Sequence, residues 1–146
     1  MVGNGKRLSS NDDRGASLVE FALIMPLLLV LIFGMVDAGW AFFQNLEVRH
    51  GAREGARLAV VNFGDEAAVI AETCARMNDP GPSAHVTVAS DGANIGGKVT
   101  VTVTKDHNAI ASFLPFFDGI TLRTTVEMRL EQDLSVAYLG TGGTCP

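Results

Sequence analysis

Residues 15–36 read GASLVEFALIMPLLLVLIFGMV, and Glu20 is the only ionisable residue among them. As a helix rising ~1.5 Å per residue, the part from Ala16 to Val36 would be about 31 Å long, against a bilayer hydrocarbon core of about 30 Å. The stretch is therefore predicted to be a transmembrane helix. A secretory signal has a shorter apolar core, of about 7–15 residues, with its cleavage site after that core. Here the glycine suited to processing, Gly15, stands before the run, so the span is expected to remain in the mature chain. One such span also accounts for a mean hydropathy of +0.25 in a chain of 146 residues.

On the N-terminal side, residues 1–15 are mostly Gly, Asn, Ser, Asp and basic residues with little to bury, and are read as a short leader without fixed structure. Lys6, Arg7 and Arg14 flank the span there and favour an N-terminus on the cytoplasmic side of the inner membrane. Arg49, Arg53 and Arg57 on the other flank weigh against that orientation. Acidic residues outnumber basic ones, 16 to 11. The surplus lies beyond the span, where an acidic surface excludes a nucleic-acid partner, which needs clustered Lys and Arg.

Beyond Val36 the chain keeps helix-forming residues without a proline as far as Val61, so residues 37–63 are expected to continue the helix outside the membrane. Val48, Gly51, Ala52, Gly55, Ala56 and Ala59 form one stripe of mostly small residues, a face against which another backbone can lie closely. Residues 64–146 are expected to fold as one extracytoplasmic domain. Asp65 is placed to cap a second helix reaching about Met77, with Ala67, Ala68, Ile70, Ala71 and Cys74 inward. After Pro82 the apolar period changes to two, at His85–Ala89, Lys98–Thr104 and Ile120–Glu131, which predicts strands. Leu122, Val126, Met128 and Leu130 share one face of the last strand and Arg123, Glu127, Arg129 and Glu131 the other, as in an antiparallel sheet with one face in water. Asp91–Gly97 is a hairpin connection, and the aromatic run Phe113–Phe117 falls in the longer connection before the third strand. The fold class is α+β: a long N-terminal transmembrane helix extending into a small domain with a second helix and about three or four antiparallel strands. Cys74 and Cys145 both fall outside the cytoplasm in this orientation, where an even count favours one disulfide over two free thiols.

Glu20 is the residue a plain anchor has least reason to carry, because an ionisable group inside a membrane span is costly. If a peptidase cuts between Gly15 and Ala16, a free α-amino group arises about one helical turn from Glu20. The amine of one subunit then meets the Glu20 carboxylate of the next in an assembly, so that both charges are neutralised away from water. The other reading is a carboxylate close enough to the membrane edge to snorkel to the headgroups. Gly15-Ala-Ser-Leu-Val-Glu20-Phe21 resembles a prepilin peptidase site. With the following apolar run to Phe43 and the block GAREGARLAV, Gly51–Val60, the segment is similar to the TadE-like minor pilins, or pseudopilins, of the tight-adherence pilus system.

That resemblance implies processing by a prepilin peptidase and a role in pilus assembly, adhesion or secretion. Its partners would be other pilin and minor pilin subunits, the pilus assembly platform and the lipid bilayer. Glu20, Phe21 and Pro26 would be assembly residues, with Pro26 bending the helix to help subunits pack. A proline merely tolerated in a membrane helix is the alternative. Arg49, Arg53, Glu54 and Arg57 are read either as a subunit contact, with Glu54 and Arg57 paired, or as a solvated helix face. No cofactor or metal is implied: Asp91, Asn94 and Asp106 match no calcium loop, and His50, His85 and His107 lack zinc-site spacing. No nucleophile and base arrangement points to an enzyme. The alternative function is an uncleaved, single-pass anchored domain that binds or senses.

Overall fold

The computed structural model describes residues 11–62, 64–78, 81, 83–110 and 119–146. The Phe113–Phe117 run and most of the leader lie outside these. A first helix, α1, runs from Asn11 to Ala59, about 74 Å at ~1.5 Å per residue. It starts inside the expected leader, four residues before Gly15, because acidic residues suit the first turn of a helix that the apolar run then propagates. Pro26 lies within α1 and does not end it.

Along α1 the environment changes at one residue. From Gly15 to Val36 the side chains are exposed almost without exception, Leu23 by 74% and Leu18 by 69%. So much contiguous apolar surface requires lipid or neighbouring helices around it. Asp37 is the first buried side chain, and from there one face of α1 packs on the rest of the protein through Gln44, Glu47, Val48, Ala52, Ala56 and Ala59. The small-residue stripe is thus the core face of the helix, as the spacing predicts.

The second helix, α2, spans Glu66–Ala75. The Asp65 carboxylate accepts a hydrogen bond of 3.0 Å from the Ala68 N–H, the capping arrangement expected there. Its inward face differs from expectation: Val69 and Thr73 are buried with Cys74, and Ile70 is half-buried, while Ala67, Ala68 and Ala71 face solvent. The rotation follows from the glycines of α1. A Cβ on Gly55 would collide with the Thr73 hydroxyl, and one on Gly51 would lie 2.8 Å from Met77 Cγ. The two helices approach where α1 has no side chain, and that brings Thr73 rather than the alanines to the contact.

Four strands form one antiparallel sheet in the order β3-β2-β1-β4, with β1 Ala84–Ser90, β2 Lys98–His107, β3 Ile120–Arg129 and β4 Gly143–Thr144. Val86 and Val88 of β1 and Val99, Val101 and Val103 of β2 point inward and are wholly buried against the helices. The alternate residues of β3, including Arg123, Glu127 and Arg129, face water. The fold is α+β with one wet sheet face. β4 has no counterpart in the sequence reading, since two residues carry no period; it is held by the disulfide between Cys74 of α2 and Cys145, whose Cα atoms are 5.5 Å apart.

The C-terminal tail also closes the top of α1. Tyr138, the only tyrosine, is buried and its hydroxyl lies 3.0 Å from the Ala59 carbonyl, at the helix end, and 2.7 Å from that of Asn62, which also accepts from the Gly64 N–H. Gln132 Nε2 donates to the Val61 carbonyl. Gly64 turns the chain at φ +95°, with Val136 where a Cβ would be, so only glycine fits. Burial pushes the Tyr138 phenol above its ordinary 10.0, and the nearby Asp65 and Glu66 charges add to this, against an opposing hydrogen bond from the Gly64 backbone. The unfolded chain loses this proton at about pH 10 while the fold keeps it, so the stability tied to the phenol is whole below that pH and falls as pH rises above it. Alkaline absorbance titration should therefore show phenolate appearing above pH 10 in the folded protein. Tyr138→Phe should remove this extra alkaline loss and cost about 1–2 kcal/mol at neutral pH, measured by urea unfolding.

Candidate functional site

Helical spacing sets the geometry of the N-terminal site. Gly15, Ala16, Glu20, Phe21 and Pro26 all lie on α1, and Ala16 and Glu20, four residues apart, share one side of it at about 6 Å along the axis. All five side-chain positions are exposed, Phe21 by 58%. Among the described residues the Glu20 carboxylate has neither hydrogen bond nor ion pair. It is an acid on an apolar, exposed helical surface. Gly15 lies within the helix, where glycine weakens the backbone by ~1 kcal/mol relative to alanine.

The second cluster divides. Arg49 and Arg53 project from exposed turns of α1, and no described ion pair holds them. Glu54 and Arg57 do not pair with each other; both line an open cleft of about 290 Å³ between α1 and α2 together with Leu58, Val61, Glu72 and Arg76. Arg76 pairs with Glu72 one turn away on α2. Exposed charges on a helix gain little by pairing at i,i+3.

Two features were not singled out from sequence. Trp40 and Phe43 stack with ring centroids 5.5 Å apart directly beyond the apolar run, and Phe42 beside them is exposed by 65%. Aromatics at the end of a span are an interfacial signal that the sequence does carry. The other is a polar stretch of the α1 core face. Asp37 Oδ1 accepts from the Ile110 N–H at 2.9 Å, and His107 Nδ1 lies 2.6 Å from Gln44 Oε1. Lys105 and His107 continue the inward face of β2 after its three valines and are buried. Polar residues of α1 therefore face polar residues of β2 near the span, and alanines face valines farther away. His107 Nε2 and both carboxylate oxygens of Glu47 are buried without a hydrogen-bond partner. Such groups are costly and uncommon in folded proteins.

Residues 15–57 match the family model described as TadE-like protein. This segment is similar to the TadE-like family. The match agrees with the resemblance to the tight-adherence pilus system drawn from Gly15–Phe43 and Gly51–Val60. It takes in the Gly15/Ala16 bond, Glu20, Phe21, Pro26 and the Arg49–Arg57 cluster, and also Asp37, Gln44 and Glu47, while both cysteines and the sheet lie beyond it. Among curated proteins and solved structures nothing matches the chain. The TadE-like segment contains one helix stretch long and apolar enough to cross a membrane, none of its apolar window being buried within the protein. The family and this stretch agree with a membrane anchor in a pilus-associated protein.

Proposed function

We propose that this TadE-like protein is a minor pilin, or pseudopilin, of a tight-adherence pilus. A prepilin peptidase cuts it between Gly15 and Ala16, and it acts with other pilin subunits and the assembly platform in pilus assembly, adhesion or secretion. Its N-terminus lies on the cytoplasmic side of the inner membrane and the domain beyond Val36 on the outer side, where the disulfide is stable. It works by binding and does not catalyse.

The observation that carries this reading is Glu20, an acid with no partner among the described residues, five residues after Gly15 on the part of α1 whose apolar side chains are exposed. An anchor alone gains nothing from that acid, whereas an array of such helices supplies the matching ammonium from each newly cut Ala16. Mass spectrometry of the protein extracted from membranes of a peptidase-competent host is the direct test. The expected mature chain begins at Ala16; an intact Met1 terminus would leave an uncleaved anchored domain.

A further inference from the structure

By sequence the outer membrane boundary falls at Asp37, the first charge after the apolar run. In the fold that carboxylate does not face outward: Asp37 is buried, and its Oδ1 accepts from the Ile110 N–H. Glu47 is buried as well. Among the described residues, α1 therefore exposes no charged side chain between Glu20 and Arg49. Its outward side carries the exposed Phe42, Phe43 and Leu46 instead, with Trp40 stacked on Phe43. At about 100° per residue, Phe42, Leu46, Arg49 and Arg53 fall within roughly 60° of one another, on the side away from the core face.

We propose that the outer leaflet of the bilayer that holds the span also covers this side of α1 as far as Leu46, with phospholipid phosphates meeting Arg49 and Arg53. The apolar surface is continuous with that of the span. From Ala16 to Leu46 the helix is about 45 Å long, which matches the about 40–45 Å of a bilayer with both headgroup layers rather than the about 30 Å of its hydrocarbon core. Glu20, about 6 Å along from Ala16, then stands at the inner edge of the hydrocarbon. The Trp40 and Phe43 pair stands at the outer edge, where aromatic rings are favoured. Asp37 is tolerated at that depth because burial and the Ile110 N–H keep it from lipid. Arg49 and Arg53 are exposed about one and two turns beyond Leu46. Their long stems lie along apolar surface while each guanidinium offers two parallel donors to a phosphate. The outer-flank arginines, which count against an N-terminus inside, thus have an anionic partner where they are. This contact rests on the membrane-anchor part of the proposed function and needs no cleavage.

The test reconstitutes the full chain in vesicles of phosphatidylcholine and phosphatidylglycerol that carry a nitroxide quencher on the lipid headgroup. Trp40 is the only tryptophan, so Trp40→Phe gives a dark background for one reporter at a time. Leu46→Trp, Val36→Trp and Val61→Trp use exposed positions, which keeps the fold. Leu46→Trp is expected to be quenched several-fold more than Val36→Trp, and Val61→Trp, about 22 Å farther out, hardly at all. Arg49→Glu with Arg53→Glu should lower the Leu46→Trp quenching roughly twofold or more, and lysine at both positions should retain it. Quenching at Leu46→Trp no greater than at Val36→Trp overturns the contact, whether water or a second copy of the chain covers the face. Quenching unchanged by the two glutamates overturns the phosphate contact. In vesicles with the nitroxide on the acyl chains, Ile32→Trp is quenched wherever the span inserts; if it is not, the anchor reading falls and this contact with it. If Leu46→Trp behaves as expected but cells never cut the chain at Ala16, the contact stands and the pilin reading falls. If Ile32→Trp is quenched and Leu46→Trp does not exceed Val36→Trp, the contact falls alone.

Discussion

Replacing both Cys74 and Cys145 by alanine is expected to lower the stability of the extramembrane domain by about 4 kcal/mol, the chain-entropy value for a bridge closing a loop of 71 residues. The loss is large against the few kcal/mol that a single small core provides. It would not be confined to the bridge. β4 is two residues long and pairs with β1 only at His85 and Val86, so its place beside β1 depends on the disulfide to α2. The same tail carries Tyr138 to the end of α1. Alanine is chosen because a serine hydroxyl at the buried Cys145 position would add an unsatisfied polar group of its own. Urea unfolding of the extracted protein, followed by circular dichroism, should show a lower midpoint in the double variant, and adding reductant should lower the native protein to the same value. A loss under about 1 kcal/mol would mean that the tail is held by its hydrogen bonds and burial instead.

Glu20→Ala is expected to abolish incorporation into filaments or surface display while leaving insertion and folding intact. Glu20 lies well before Asp37, the first buried residue of α1, and touches nothing in the domain, so no folded contact is lost. Removing an ionisable group from the span makes insertion easier, because a carboxylate in hydrocarbon costs up to ~2.5–3.5 kcal/mol on insertion scales. In the proposed assembly, what the variant loses is the interaction with the ammonium of Ala16 on an adjacent subunit. Stripping one partner from a desolvated pair costs about 3–5 kcal/mol, because the other charge is left buried alone, and at each step of an assembly that is prohibitive. The measurement compares membrane-bound and sheared surface fractions of the variant and native proteins, with the mass of the mature chain checked in both so that lost cleavage is not mistaken for lost assembly. Unchanged display of a correctly cleaved Glu20→Ala chain would remove the assembly role of this acid.

Much of the architecture is legible in local pattern. The apolar run to Val36, the small-residue stripe from Val48 to Ala59, the Asp65 cap and the alternating valines of β1 and β2 each follow from a period or a residue type that depends only on near neighbours in the chain. The inward face of α2 is not legible in its own sequence because its alanines fit either face, and Gly51 and Gly55 of another helix make the choice. The buried polar groups are hidden from the sequence for a related reason. Asp37, Gln44 and Glu47 look like solvated residues on a helix just outside a membrane, and Lys105 and His107 like the end of a strand entering solvent. Only their meeting across the domain makes them interior.

By itself, therefore, the sequence determined an apolar run long enough to cross a membrane, the acid within it, the long continuous helix, the α+β class and the similarity to the TadE-like family, since each is written in residues close together along the chain. The tertiary structure alone decided which face α2 buries, where β4 and Tyr138 close the domain, and that Glu47 is enclosed. These depend on contacts between residues far apart in sequence, where burial and the loss of water, rather than residue type, set the energy of a group.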